Sequence, residues 1–205
     1  MRITGLQLLI CGWLVSGVLA SVAVTAPPAS AQSTGQIPSG QLVSGTLSFD
    51  GRATAGDFVG KTTEVSGQVT GASELSAVSG WVEAPVRTLK TGNDRRDRDL
   101  NKSMESEKHP VLRFELARVA PKGGSPDSLT VTLHGRLSIH GVTREVELPA
   151  MVQFTSSNAR VRTSFPLNLK DYRIGGLSKM LGILKMYEDI EVHADLLFHL
   201  VGSRQ

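Results

Sequence analysis

The stretch Leu129–Phe154, LTVTLHGRLSIHGVTREVELPAMVQF, constrains the fold more tightly than any other part of the chain. Its first half sets Leu129, Val131, Leu133, Leu137 and Ile139 on one parity, against Thr130, Thr132, His134, Arg136 and Ser138. Beyond His140-Gly141, the apolar Val142, Val146, Leu148, Val152 and Phe154 are set against the charged Arg144, Glu145 and Glu147. Side chains of a strand alternate between faces, so two period-2 runs joined at a short Gly-containing turn predict a β-hairpin. Strands of roughly ten residues are long beside a typical five or six. A long hairpin with one apolar face must close around something, and a barrel is the simplest closure.

The same alternation recurs along the chain. Strands are expected over Leu42–Asp50, a short piece near Phe58, Glu64–Thr70, Val78–Leu89, Val111–Ala120, Arg160–Leu169 and Asp189–Val201. Pro85 argues for an edge or bulge within its run, and Pro121–Ser128 reads as a turn-rich loop. With no βαβ rhythm and no internal repeat, the fold class is all-β. The expected architecture is an antiparallel barrel of about eight strands with short helices covering one end, enclosing either side chains or one small ligand.

Two segments break the alternation. Asn93–Glu107 is dense in charge, with Leu100 and Met104 spaced i, i+4 and Asn93 placed to cap, which predicts a solvated surface helix across an opening of the sheet. In Gly175–Tyr187, Leu177, Met180, Leu181 and Leu184 form an i, i+3, i+4, i+7 stripe. That spacing predicts a short helix over one barrel end, acting as a fixed plug or a mobile lid.

The N-terminal segment reads as a leader. Arg2, the apolar Leu6–Ala20, Pro27-Pro28 and the small Ala29-Ser30-Ala31 predict a signal peptide over residues 1–31, with an uncleaved anchor as the alternative. Residues 32–40 read as a flexible linker and 41–201 as the domain. The single cysteine, Cys11, falls inside the leader, so the exported chain would hold its fold by its core alone. Removing Arg2 lowers the basic count from 22 to 21 against 19 acids. That near-neutral balance gives no electrostatic basis for nucleic-acid binding.

Catalytic signals are sparse. There is no G-x-S-x-G and no cysteine after the leader. Of the histidines, His134 and His140, like His193 and His199, lie six apart on polar parities without a compact ligand spacing, and His140 reads as a turn residue. The interleaved arginines around Asp94, Asp97 and Asp99 argue against an EF-hand. No metal site or cofactor is expected. The inward parity is apolar: Leu47, Phe49, Phe114, Leu116, Leu137, Ile139, Phe165, Leu167, Leu196 and Phe198, with Met180 and Leu184 on the cover. These are the candidate ligand-binding residues of a dry cavity, although a filled core would give the same pattern.

Four motifs in order carry a resemblance. They are Thr91-Gly92-Asn93 with Arg96-Asp97 and Leu100; His109-Pro110 with Phe114; the run from Gly135 to Val146 containing Ile139-His140-Gly141-Val142-Thr143; and Asp171-Tyr172-Arg173-Ile174-Gly175-Gly176. Together they resemble the YceI-like family. The resemblance implies an exported, lipocalin-like barrel that binds a polyisoprenoid or other long-chain amphiphile, with no catalytic residues to carry over. The chain departs from the family's Asp-x-x-His-Ser opening, having Ser39-Gly40-Gln41-Leu42, and its segment after Gly176 is unusually hydrophobic. The expected function is storage or transport of such a lipid in the periplasm or outside the cell, its head group met by Arg173, Lys179 and Arg87 at the mouth. The expected partner is an apolar or amphiphilic small molecule with an isoprenoid or fatty chain; a homodimer stays open, and no transmembrane segment is expected after leader cleavage. The alternatives are an enzyme acting on a lipid or quinone in the same cavity, which needs an inward acid or base, and an outer-membrane barrel, for which 5% aromatics supply too few girdle residues.

Overall fold

The computed structural model describes residues 36–54, 56–175, 178–179 and 184–201. The expected leader and Met180 lie outside the described residues, as do the side chains of Lys179 and Leu184.

The alternating runs become strands β1 (Ser39–Gly51), β2 (Phe58–Thr62), β3 (Ser66–Thr70), β4 (Ser79–Pro85), β5 (Val111–Ser125), β6 (Ser128–Ile139), β7 (Val142–Phe154) and β8 (Asn158–Asn168). Two short strands, β9 (Ser178–Lys179) and β10 (Leu184–Lys185), precede the last long strand, β11 (Asp189–Val201). Every strand pairing among the described residues is antiparallel. The order β11-β8-β7-β6-β5-β4-β3-β1 closes because β11 also pairs with β1, from Ser39↔Val201 to Asp50↔Glu191. Eight strands therefore form a closed barrel. β1 is long enough to bond β3 near its start and β2 near its end, so β2 extends the wall where β3 stops.

The hairpin that dominates the sequence is β6–β7, in register from Ser128↔Gln153 to Ile139↔Val142. Its two-residue turn has His140 at φ 52° and Gly141 at φ 73°. Positive φ at both central residues is the type I′ geometry whose twist matches the flanking strands. Val131, Leu133, Leu137 and Ile139 are buried as their parity requires. Arg144 shares Val142's parity, yet it sits exposed at the rim, where its Nε donates to the Asp171 carbonyl at 2.8 Å.

Several boundaries differ from expectation. β1 begins at Ser39, two residues inside the expected linker. β4 stops at Pro85, and a 3-10 turn over Val86–Thr88 follows, because proline supplies no N–H to continue a ladder. β5 runs through the expected Pro121–Ser128 loop to Ser125, with irregularities at Leu116/Arg118 and Pro121/Gly123. Gly123 and Gly124 have positive φ there, and glycines leave no side-chain parity from which a strand is read.

The charged segment forms α1 (Asp94–Ser103), with Asn93 Oδ1 accepting from the Arg95 and Arg96 N–H groups at 3.0 and 3.1 Å. This is the expected N-cap. The expected helix over Gly175–Tyr187 is not borne out where the segment is described: Ser178–Lys179 and Leu184–Lys185 pair as strands. A helix this short is marginal in water, and Gly182 in its middle costs about 1 kcal/mol, so tertiary context overrides the spacing.

The outer face of the barrel is laced with ion pairs. Asp195 accepts two bonds from Arg160, at 2.7 and 2.6 Å, and Glu115 bridges Arg113 and Arg136. Such exposed pairs are screened by solvent and contribute little to stability. The bulk of the stability comes from the apolar interior.

Candidate functional site

The barrel interior is not filled. Its inward side chains leave a cavity of ≈ 260 Å³. A single water needs about 10–15 Å³, and an apolar void has no polar partners to hold one. Ten of the residues expected inside line it: Leu47 and Phe49 on β1, Phe114 and Leu116 on β5, Leu137 and Ile139 on β6, Phe165 and Leu167 on β8, and Leu196 and Phe198 on β11. Small inward groups, among them Gly80, Ala159 and Ala194, help keep it open. Phe49 lies over Gly60, where an added Cβ would run into its ring, and meets Phe58 edge-on at 6.1 Å.

One end is covered by α1 and by the turns around it. Leu100 and Met104 of the α1 segment reach the cavity with Leu89, Ile174 and Met186. The i, i+4 pair was visible in sequence as an apolar stripe on a charged helix, and that stripe is the signal for a cavity-facing cover. At the opposite end Ile37, Pro38 and Leu75 border the cavity. A second recess of ≈ 250 Å³ adjoins there, sharing Ile37, Pro38, Leu75, Phe154 and Leu200 with the main one.

The cover is anchored by a buried polar knot. Asp97 is only 6% exposed. Its Oδ1 accepts from the Thr91 N–H at 2.8 Å and the Thr91 hydroxyl at 2.6 Å. Burial pushes its carboxyl up, but the two Thr91 bonds and the charges of Lys90 and Arg96 outweigh that and hold it below the usual carboxylate range. Arg96 donates to the Thr91 carbonyl at 3.0 Å and lies 4.2 Å from the Phe58 ring centre. Gly92, at φ 74°, turns the chain between the knot and the Asn93 cap. Composition alone made this segment a solvated face; Asp97 is the buried charge within it, and its partner lies six residues away on a loop.

Chemically the cavity offers contact and little else. Among the described residues, no histidine or aspartate lines it, and the one acid at its border, Glu83, accepts from Arg113 at 2.8 Å. His134, His193 and His199 bond to outer-face groups: Arg118, Ser164 and Asn158 respectively. Of the expected head-group donors, Arg87 pairs with Glu107 at 3.2 Å, and Arg173 is exposed in a left-handed turn at φ 57°. Among the described residues, no helix is long and apolar enough to cross a membrane.

Comparison with known proteins matches this architecture. The YceI-like domain matches residues 25–198. The crystal structure of BcnA from Burkholderia cenocepacia superposes with a TM-score of 0.64 at 16% identity, over 75% of this chain and 95% of that one. A polyisoprenoid binding domain from Saccharophagus degradans, implicated in plant cell wall breakdown, gives 0.64 at 14% identity, over 80% and 99%. At such identities the likeness is one of fold. No curated protein matches the chain.

Proposed function

The chain belongs to the YceI-like family, and from that membership together with the cavity we propose that it binds a long-chain amphiphilic lipid, such as a polyisoprenoid, for storage or transport. The observation that carries the reading is the ≈ 260 Å³ apolar void enclosed by a closed barrel. An unbranched or prenyl chain in that void gains about 0.8 kcal/mol per buried CH2, with no polar group left unsatisfied. Leu47, Phe49, Phe114, Leu116, Leu137, Ile139, Phe165, Leu167, Leu196 and Phe198 supply the contact surface. The polar head lies at a barrel end, where Arg173 and Arg87 are the donors on the covered side.

Binding without chemistry fits the lining better than an enzyme does, since a reaction needs a perturbed acid or base aimed at the substrate. The polyisoprenoid-binding domain of similar fold supports the choice of ligand class. A site of action in the periplasm or outside the cell is supported by the leader-like sequence of residues 1–31. The reading is tested by titrating delipidated protein with a fluorescent fatty-acid or prenyl probe. Saturable binding at one site per barrel, displaced by polyprenyl chains, is expected; a probe that stays free at all concentrations sinks the reading.

A further inference from the structure

We propose that Glu105, His109 and His140 form a site for a divalent transition-metal cation of zinc-like chemistry, which fastens the α1 cover to the β6–β7 turn. One donor atom from each of the three residues lies within 4.8 Å of the others. The set combines two imidazoles and a carboxylate, a donor combination that suits zinc and its neighbours.

The orientation of His140 is what points to a cation. Its Nδ1 lies 3.1 Å from the Tyr172 carbonyl, which can only accept, so Nδ1 carries the proton. In the neutral ring Nε2 is then a bare lone pair. That atom is buried with no hydrogen-bond partner, an arrangement that is costly unless something electrophilic meets it. A backbone carbonyl fixing the tautomer of a ligating histidine is the usual outer-sphere support of a metal site.

The backbone around the site is shaped for this cluster. His140 and Glu105 both hold positive φ, 52° and 44°, in a chain with only one other described non-glycine residue, Arg173, in that region. A type I′ turn is ordinarily filled by Asn, Asp or Gly; here its first position holds a histidine whose Nδ1 reaches the Tyr172 carbonyl. Gly141 completes the turn, and a Cβ there would lie 2.5 Å from His109 Cε1. Its bare Cα therefore makes room for the second imidazole, whose ring centre sits 5.0 Å from that of His140.

His109 and Glu105 are tied to each other by the His109 N–H, which donates to the Glu105 carbonyl at 2.9 Å. Glu105 is exposed, and its Oε2 accepts from Lys108 at 3.0 Å. Bonds of about 2.0–2.1 Å bring tetrahedral donors to about 3.4 Å apart. Rotation of the Glu105 and His109 side chains toward the anchored His140 closes that difference, and the fourth position is left for water.

The test uses untagged protein stripped with chelator and titrated with Zn²⁺ and with Co²⁺. One ion per chain by native mass spectrometry, visible d–d bands of a four-coordinate Co²⁺ centre, and a Zn²⁺-dependent rise in melting temperature are expected. His140→Asn keeps the left-handed backbone, which Asn tolerates, and should weaken binding by about 100-fold or more, as should His109→Ala. His193→Asn, on the outer wall, should leave it unchanged. Folded wild-type protein that takes up neither ion, or binding that is equal in His140→Asn, overturns the proposal.

Discussion

Replacing Ala194 with phenylalanine separates a cavity from a packed core more sharply than any truncation. Ala194 is half-buried on β11, lies opposite Leu47 of β1 and Thr163 of β8, and faces the void. The substitution adds six ring carbons to a lining that now leaves ≈ 260 Å³ free. Those carbons exclude about six methylene equivalents of a bound chain, which at about 0.8 kcal/mol each amounts to about 5 kcal/mol. At about 1.4 kcal/mol per decade, affinity for a chain that fills the barrel should fall by about 3,000-fold. Stability should move the other way: the phenyl fills empty apolar space, so the urea midpoint of the unliganded variant should hold or rise. In a barrel already packed solid, the same ring would cost about 1–3 kcal/mol through overpacking. Fluorescent-lipid displacement and urea unfolding on the same preparation read both quantities. A midpoint that falls by that amount, with affinity unchanged, would refute the reasoning.

Three further outcomes follow from the cover and the turn. Thr91→Val removes the hydroxyl bonded to buried Asp97 and should destabilise by about 1.5–3 kcal/mol in urea melts; a change within noise would mean that the knot does not anchor α1. Because the folded protein holds the Asp97 carboxyl below its ordinary value, its contribution is fully present above about pH 4 and is lost as pH falls further. Acid titration of wild type should therefore show a stability loss in that window that Thr91→Val blunts, and parallel curves would contradict the assignment. Gly141→Ala sets a Cβ against His109 at a position with φ 73°, and should lower stability by about 1–3 kcal/mol by thermal unfolding.

Period-2 parity made most of the wall legible. From Leu129 to Phe154 the buried positions, the turn and the register all follow from which residues alternate, because a one-residue slip would expose the whole apolar face. The same logic identified Phe114, Leu116, Leu196 and Phe198 as inward. It failed where side chains carry no parity, as at Gly123-Gly124, and where a helical spacing was interrupted by glycine, as in the segment whose Ser178–Lys179 and Leu184–Lys185 pair as strands. The polar features were less visible still, because they depend on pairs that only the fold assembles. Asp97 sits in a run of exposed charges and is buried only because Thr91 folds onto it. His109 and His140 lie in separate motifs, and the closed barrel end brings their rings together. The size of the void was hidden for another reason: a filled and a hollow barrel need the same alternation, and only the packing of Gly80, Ala159 and Ala194 against their larger neighbours distinguishes them.

The central claim is that the barrel carries a lipid. Mass spectrometry of the protein isolated under non-denaturing conditions tests it most directly. The account predicts a discrete adduct, one per chain, that disappears on organic extraction and is recovered in the extract as a long-chain isoprenoid or fatty species. The bare protein mass in repeated preparations, with no adduct after incubation with such lipids, would contradict it.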